Sequence, residues 1–179
     1  DRAGLAGKVA AVAMHVRALR DQVTAAGDDV FQDAVTMRRR FRDLAFDEVL
    51  RDLLDVYGRY AIARGIQFEV SLAVEGACVR GSRTHLVIAL GTLLDNALEA
   101  AAAGPGHPYV GLSATRARER CMLRIQNSGP AFTSRMRESF RSAIATHGAR
   151  MPSTKSYGKG MGLVMAYRIL ETHNADYGP

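Results

Sequence analysis

A glycine-rich stretch that leads into a helix constrains this chain more than any other feature. It runs Ser153-Thr-Lys-Ser-Tyr-Gly-Lys-Gly-Met-Gly-Leu163, and apolar residues continue beyond it at helical spacing. Alternating glycines let the backbone adopt positive φ and approach a ligand closely, and the free N–H groups of the following helix attract anions. The stretch therefore predicts an anion site, with a simple tight turn as the alternative.

Two common nucleotide-binding patterns do not fit this stretch. Its spacing is G-x-G-x-G and no βαβ unit surrounds it, which excludes the Rossmann pattern. A Walker A loop would close with Gly-Lys-Ser/Thr, and that ending is absent here. The glycine-rich stretch alone therefore does not identify the anion, and other motifs of the chain are needed to do so.

Composition limits the class of protein and of partner. A chain of 179 residues suits one large domain or two small ones. No apolar run is long enough for a membrane span. The start at Asp1 leads us to expect a fragment of a longer protein. The net charge of +6 favours an acidic partner such as a nucleotide phosphate. Nucleic acid is disfavoured because the basic residues are scattered, apart from 37–42, and lack interleaved aromatics. Cys78 and Cys121 are isolated, which predicts buried thiols in a reducing cytosol.

Residues 1–45 are predicted to form a two-helix hairpin, with Gly27 and Asp28 at the turn. Its apolar residues recur at steps of four and three: Leu5, Val9, Val12, Val16, Leu19 and Val23, then Val30, Ala34, Met37, Phe41 and Leu44. A seam this narrow leaves apolar surface uncovered, so we expect two chains to form a four-helix bundle. The alternative is a hairpin folded back on its own domain. Spacing alone makes His15 a surface residue at the edge of the seam.

Residues 46–179 are predicted to form a second domain with strands and helices. Helices are expected at Asp47–Ala63, Arg83–Ala103 and Met161 to about His173, and strands at 66–72, 77–80, 109–115 and 121–126. Residues 131–157 have a weak apolar pattern and are interpreted as a lid with a short helix near 136–144. The fold class is therefore α+β, a helical hairpin followed by a two-layer sandwich.

The long helix carries an asparagine beside its apolar face, in Leu93-Leu-Asp-Asn-Ala-Leu-Glu-Ala100. Asparagine is unfavourable inside helices because its amide competes with the backbone. Asn96 is explained either by a satisfied core amide or by an oxygen ligand for Mg²⁺ beside phosphates. The pattern alone leaves both explanations open.

The order of the motifs resembles a known family. A helix with Leu-Leu-Asp-Asn-Ala-Leu-Glu-Ala, then Asn127-Ser-Gly-Pro130, a lid and the glycine-rich stretch are similar to the ATP-binding fold of histidine kinases, gyrase and Hsp90. The resemblance covers residue 46 to about 174 and is closest in style to peptide-sensing and citrate-sensing histidine kinases. It implies ATP and Mg²⁺ as cofactors.

The resemblance implies a role for each matching residue. It implies that Asn96 coordinates Mg²⁺ and that Asn127 hydrogen-bonds the edge of the base. It also implies that Gly129 lets the backbone approach the base. The glycine-rich stretch would hinge the lid and hold the phosphates through Gly158, Gly160, Gly162 and Leu163, with Lys155 or Lys159 as the cation.

Several positions depart from the family pattern. Thr92 stands where hydrolytic relatives carry a Glu one helical turn before Asn96, so no general base is poised to activate water. Asn127 replaces the usual base-reading Asp, and Ala131 replaces a usual Gly. The chain ends where relatives continue with Gly-Gly and a further strand, so the edge of the domain is expected to be cut or missing.

The resemblance also makes His15 the candidate phosphoacceptor, because it is the only histidine in the hairpin. The family normally places an acidic residue directly after this histidine to orient and deprotonate the imidazole, and here Val16 follows. The sequence therefore leaves the assignment of His15 open.

We expect the cytoplasmic core of a sensor histidine kinase that acts as a homodimer. It would transfer the γ-phosphoryl group of ATP to His15 and then to an Asp of a response-regulator receiver domain. It would contact a membrane only through a region upstream of residue 1. The alternative is a kinase-like scaffold that docks a response regulator without ATP turnover. A serine kinase of the anti-sigma type is disfavoured, because those chains usually lack the leading hairpin.

Overall fold

The computed structural model describes Arg38, residues 41–145 and residues 162–175. The strands in this part of the chain are β1 (Arg42–Ala45), β2 (Gln67–Ala73), β3 (Cys78–Gly81), β4 (Tyr109–Ala117) and β5 (Arg120–Asn127). The helices are α1 (Phe46–Ala63), α2 (Arg83–Ala103), α3 (Ser134–Ala145) and α4 (Gly162–Thr172). Each element predicted after residue 46 is present, with its ends within two residues of the prediction.

One part of the predicted hairpin is wrong. Residues 42–45 form strand β1 rather than the end of a helix, and they pair antiparallel with β3 from Arg42 opposite Gly81 to Ala45 opposite Cys78. Phe41 and Leu44 fit a helical step of three, but a pattern this short does not distinguish a helix from a strand. Apart from Arg38 and Phe41, the rest of the hairpin lies outside the described residues, and the division of the chain at residue 45 stays a prediction.

Two sheets and a helical layer make the sandwich. Strands β2, β4 and β5 form one mixed sheet in that order, with β2 parallel to β4 and β4 antiparallel to β5, whereas β1 and β3 form a separate pair. Helices α1 and α2 cover one face of the three-stranded sheet. The sheet contributes apolar side chains to the shared core: Phe68, Leu72, Val110, Leu112, Ala114, Leu123 and Ile125. The expected α+β sandwich of sheet and helices is confirmed.

Helix α2 is the central element because it packs on two sides. Leu90, Leu94 and Leu98 join the core under the sheet, and Leu86 and Ala89 pack with α4. A helix that is apolar on most sides is expected in a protein interior. Among the described residues, α2 is also the one helix long and apolar enough to cross a membrane, and 56% of its most apolar window is buried inside the molecule. Its hydropathy is accounted for by its two packing faces.

The crossing of α1 over α2 explains a glycine in the middle of α2. The hydroxyl of Tyr57 on α1 donates a hydrogen bond to the carbonyl of Gly91 at 3.1 Å. A Cβ atom at Gly91 would lie 3.0 Å from that hydroxyl. Glycine inside a helix costs about 1 kcal/mol relative to alanine. The close approach of Tyr57 is what the glycine makes possible.

The two cysteines are less buried than expected. Cys78 is exposed, so the prediction of a buried thiol is wrong at that position, and Cys121 is partly buried. Partial burial raises the pKa of the Cys121 thiol, and the nearby Arg116 charge opposes that rise. Cys121 also packs against the main core cluster, and we assign neither thiol a functional role.

His173, just after α4, connects the end of that helix to the β1–β3 pair. Its ring stacks on Phe41 with centroids 4.5 Å apart, and its Nε2 accepts a hydrogen bond from the Ser82 N–H at 3.0 Å. Its Nδ1 lies 2.7 Å from the carbonyl of Ile169, so the proton is on Nδ1 and the ring is neutral. A Cβ at Gly81 would lie 2.9 Å from Nε2, so a side chain there would displace the ring.

We expect the domain to become less stable as the pH falls, because His173 is neutral in the folded protein and binds a proton more easily in the unfolded chain. Burial lowers the pKa of this histidine below its ordinary value of 6.5, although the hydrogen bond to Ile169 acts in the opposite direction. The unfolded chain therefore binds the proton first. The stabilisation from the neutral ring is complete above pH 6.5 and is lost as the pH falls below that value. Thermal melting at about pH 7.5 and about pH 5.5 should show this loss.

Two variants separate His173 from other titrating groups. His173→Gln should reduce the difference between the two melting temperatures, whereas His107→Gln, at an exposed position, should leave it as in the wild type. An unchanged pH dependence in His173→Gln would contradict the assignment.

Candidate functional site

One face of α2 carries Thr92, Asn96, Ala100 and Gly104 at steps of four residues. Residues at this spacing lie one above another on a helix, and Thr92 and Ala100 are about 12 Å apart along the axis. Two other segments, the start of α4 and the turn after β5, contact the two ends of this face. We call it the α2 face.

At the Thr92 end, α4 begins with a glycine against α2. A Cβ at Gly162 would lie 3.3 Å from the Cγ2 methyl of Thr92. The Thr92 hydroxyl donates to the Ile88 carbonyl at 2.8 Å, and the residue is buried. The hydroxyl is therefore engaged within the helix. Because this side chain has no carboxylate, no general base lies one turn before Asn96.

At the other end, the turn after β5 lies directly on α2. A Cβ at Gly129 would lie 2.7 Å from the Cβ of Ala100 and closer still to the Ala100 carbonyl. A Cβ at Gly104 would lie 2.9 Å from the Ser128 carbonyl. Both glycines are thus required by the close packing of two backbones.

Three hydrogen bonds fix this turn. Asn127 Oδ1 accepts from the Gly129 N–H at 2.9 Å. The Ser128 N–H donates to the Tyr109 carbonyl at 2.9 Å, and Ser128 Oγ accepts from the Tyr109 N–H at 2.9 Å. Asn127 remains exposed. The turn therefore holds an accessible amide in one orientation at the edge of the α2 face.

Asn96 lies between the two ends and is partly buried. Among the residues that the structure describes, no three His, Cys, Asp or Glu side chains converge as they would in a metal site made by protein alone. Mg²⁺ commonly takes one or two protein oxygens and completes its shell with substrate phosphates and water. The donor set around Asn96 fits that mode, in which Asn96 would supply the protein oxygen.

Helix α3 lies beside α4 and fixes part of the segment predicted to be a lid. Phe140 and Ala143 form a small apolar cluster with Val164, and Leu163 packs against it. Phe140 also meets Tyr167 edge-on with centroids 6.1 Å apart. Residues 131–145 are therefore docked on α4, which the weak apolar pattern did not predict. Leu163 contributes to this packing.

The structure brings three predicted site positions onto the α2 face: Asn96 and, at its two ends, Gly129 and Gly162. Asn127 lies in the same turn as Gly129. The remaining predicted positions lie outside the described residues: His15, Lys155, Gly158, Lys159 and Gly160. The sequence did not predict the hydrogen bonds of Ser128 to Tyr109 or the close approach of Gly104 to Ser128. A serine in a turn and a glycine after a helix are common in proteins and do not by themselves indicate a functional site.

The comparisons with known proteins agree with this geometry. The family described as histidine kinase-, DNA gyrase B- and HSP90-like ATPases matches residues 81–178, and the chain belongs to that family. No curated protein sequence matches the chain.

Solved structures of similar fold are histidine kinase catalytic domains. The catalytic domain of histidine kinase ThkA has a TM-score of 0.61 at 21% identity, covering 75% of this chain and 82% of that one. The mycobacterial sensor histidine kinase MprB has a TM-score of 0.56 at 24% identity, covering 75% and 80%. ThkA in complex with the response regulator TrrA has a TM-score of 0.57 at 18% identity, covering 75% of this chain and 36% of that one. These likenesses define the fold as that of a histidine kinase catalytic domain.

Proposed function

We propose that this chain is the catalytic core of a sensor histidine kinase that binds ATP with Mg²⁺ on the α2 face. The observation that carries the proposal is the placement of Asn96 between Gly162, at the start of α4, and the Asn127–Gly129 turn. Along the α2 face, the start of α4 would bind the phosphates, Asn96 would bind the metal ion, and the Asn127–Gly129 turn would bind the base. This is the order in which phosphates, their bound metal ion and the base follow one another in a nucleoside triphosphate. Family membership supports the same assignment.

Each part of the face would contact a different part of the ligand. The Asn127 amide would hydrogen-bond the base, and Gly129 would let the base approach the backbone. The N–H groups before and within the first turn of α4 would bind phosphate oxygens, helped by Lys155 or Lys159. Bound Mg²⁺, held by Asn96, would neutralise phosphate charge.

The reaction would be phosphoryl transfer to a histidine. A neutral imidazole nitrogen of His15 would attack the γ-phosphorus, forming an N–P bond as the bond to ADP breaks. Such a transfer needs mainly positioning and neutralised charge. The Thr92 side chain has no carboxylate, and its hydroxyl is hydrogen-bonded to the Ile88 carbonyl, so it would not act as a general base that activates water. Phosphoryl transfer is therefore favoured over hydrolysis at this site.

The partners follow from the same proposal. ThkA was crystallised with the response regulator TrrA, and by analogy the phosphoryl group on His15 would pass to an Asp of a receiver domain. We further propose that residues 1–45 pair in a homodimeric helical bundle. A kinase that uses ATP and a receiver domain would act in the cytoplasm.

Labelling with γ-labelled ATP and Mg²⁺ tests the phosphoryl transfer. The wild type should retain acid-labile, base-stable label, as a phosphohistidine does, and His15→Ala should lose it. His107→Ala, at an exposed position in the second domain, is the matched control and should label as the wild type does. Equal labelling of wild type and His15→Ala would contradict the assignment of His15, and no binding of ATP at all would contradict the function itself.

A further inference from the structure

The turn after β5 determines which end of the Asn127 amide is available to a ligand. The Gly129 N–H is a donor, so the Asn127 atom 2.9 Å from it must be the oxygen. The other end of the amide is therefore the NH₂ group. Within the described part of the chain, that NH₂ group has no partner.

This orientation is stabilised by contacts outside the side chain. Gly129 lies against the Ala100 backbone, and Ser128 is tied to both backbone groups of Tyr109. A rotation of the Asn127 amide that exchanged its oxygen and nitrogen would place two donors, the NH₂ group and the Gly129 N–H, against each other. An unsatisfied donor pair of this kind is costly, so the amide keeps its orientation.

The available hydrogen-bonding group decides which purine fits. A 6-aminopurine presents an N–H donor at position 6, whereas a 6-oxopurine presents an oxygen acceptor there. The Asn127 NH₂ group is a donor, so it can pair with the 6-oxygen of an oxopurine as well as with a ring nitrogen, such as N7, of an aminopurine. Its Oδ1 retains one lone pair for a 6-amino group, but that atom already accepts from the Gly129 N–H. A carboxylate at this position has acceptors only and would pair with the amino group while repelling the 6-oxygen.

We propose that Asn127 makes this site accept 6-oxopurine nucleoside triphosphates at least as well as ATP. The inference rests on the proposed function, because it assumes that a purine nucleotide binds on the α2 face. Asn127 is then the residue that determines base selectivity. It acts by presenting a donor where a carboxylate would present only acceptors.

The test compares ATP with ITP, which differs from ATP in carrying a 6-oxo group and the associated N1 proton. Equilibrium titration of the full chain by calorimetry, with Mg²⁺ present, gives a dissociation constant for each nucleotide. The matched variant is Asn127→Asp, which keeps an oxygen to accept from the Gly129 N–H and removes the NH₂ donor. GTP is a poorer probe because its 2-amino group adds a second change.

We expect the wild type to bind ITP no more weakly than ATP. Asn127→Asp should shift the ratio of the two dissociation constants at least about tenfold in favour of ATP, because one pairing is lost and a repulsion is gained. A wild type that binds ATP more tightly than ITP, or a smaller shift in the variant, would overturn the inference and leave the proposed function standing. If neither nucleotide binds the wild type, the proposed function and the inference fall together.

Discussion

Gly129→Ala is expected to destabilise the domain and to abolish nucleotide binding together. The added methyl group would lie 2.7 Å from the Cβ of Ala100 and closer still to its carbonyl, in the last turn of α2. Overpacking of this kind typically costs about 1–3 kcal/mol and sometimes more. Any relief must move the Asn127–Gly129 turn away from α2. Denaturant unfolding and ATP titration would measure the two losses.

The matched control is another glycine-to-alanine change, Gly58→Ala within α1. A Cβ at Gly58 would lie 3.7 Å from the nearest atom of the Phe68 ring, which is ordinary contact. Because alanine is favoured over glycine in a helix, this variant should gain about 0.5–1 kcal/mol and bind nucleotide as the wild type does. The close packing of the turn on α2 would be refuted by a Gly129→Ala protein as stable as the wild type.

Asn96→Ala should lose Mg²⁺-dependent phosphoryl transfer by about a hundredfold or more. A bound metal ion supplies several kcal/mol of charge stabilisation to such a transition state, and the variant lacks the protein oxygen that would hold it. The label from γ-labelled ATP, followed over time at several Mg²⁺ concentrations, measures the effect. Circular dichroism and melting temperature should show that the variant is folded.

Asn96→Asp distinguishes metal binding from packing. Aspartate has nearly the shape of asparagine and keeps a side-chain oxygen, so it should retain Mg²⁺-dependent transfer. If Asn96→Ala transfers phosphate as fast as the wild type at every Mg²⁺ concentration, Asn96 is not a ligand. The satisfied core amide would then explain it.

The sequence was sufficient for most of the second domain. Helix α2 has the predicted bounds, Arg83–Ala103, because its long apolar run ends at Gly104-Pro-Gly106, which no helix continues through easily. The β4–β5 pair follows from clean alternation on either side of a charged turn. The Asn127–Gly129 turn was predicted from its residue types, and its place on α2 follows the order of motifs.

Other features depend on contacts between distant residues and were not predictable from local pattern. Strand β1 forms because β3, more than thirty residues later, offers a pairing partner. The parallel pairing of β2 with β4 is likewise set by the crossover through α2. Helix α3 docks through Phe140 onto α4, and a single buried aromatic residue in a polar segment is too weak a signal to reveal its partner.

The rigid helix under the site has a consequence for its spacing. Thr92, Asn96 and Ala100 belong to one rod, so the separation between the two ends of the site is set by helical rise and does not depend on loop length. One residue inserted between Asn96 and Ala100 would turn the far contact by about 100° and shift it about 1.5 Å, so that Gly129 would meet a different side chain. Helix α2 thus sets the distance between the phosphate-binding and base-binding ends of the proposed site, and changes in the length of the surrounding loops should leave that distance unaltered.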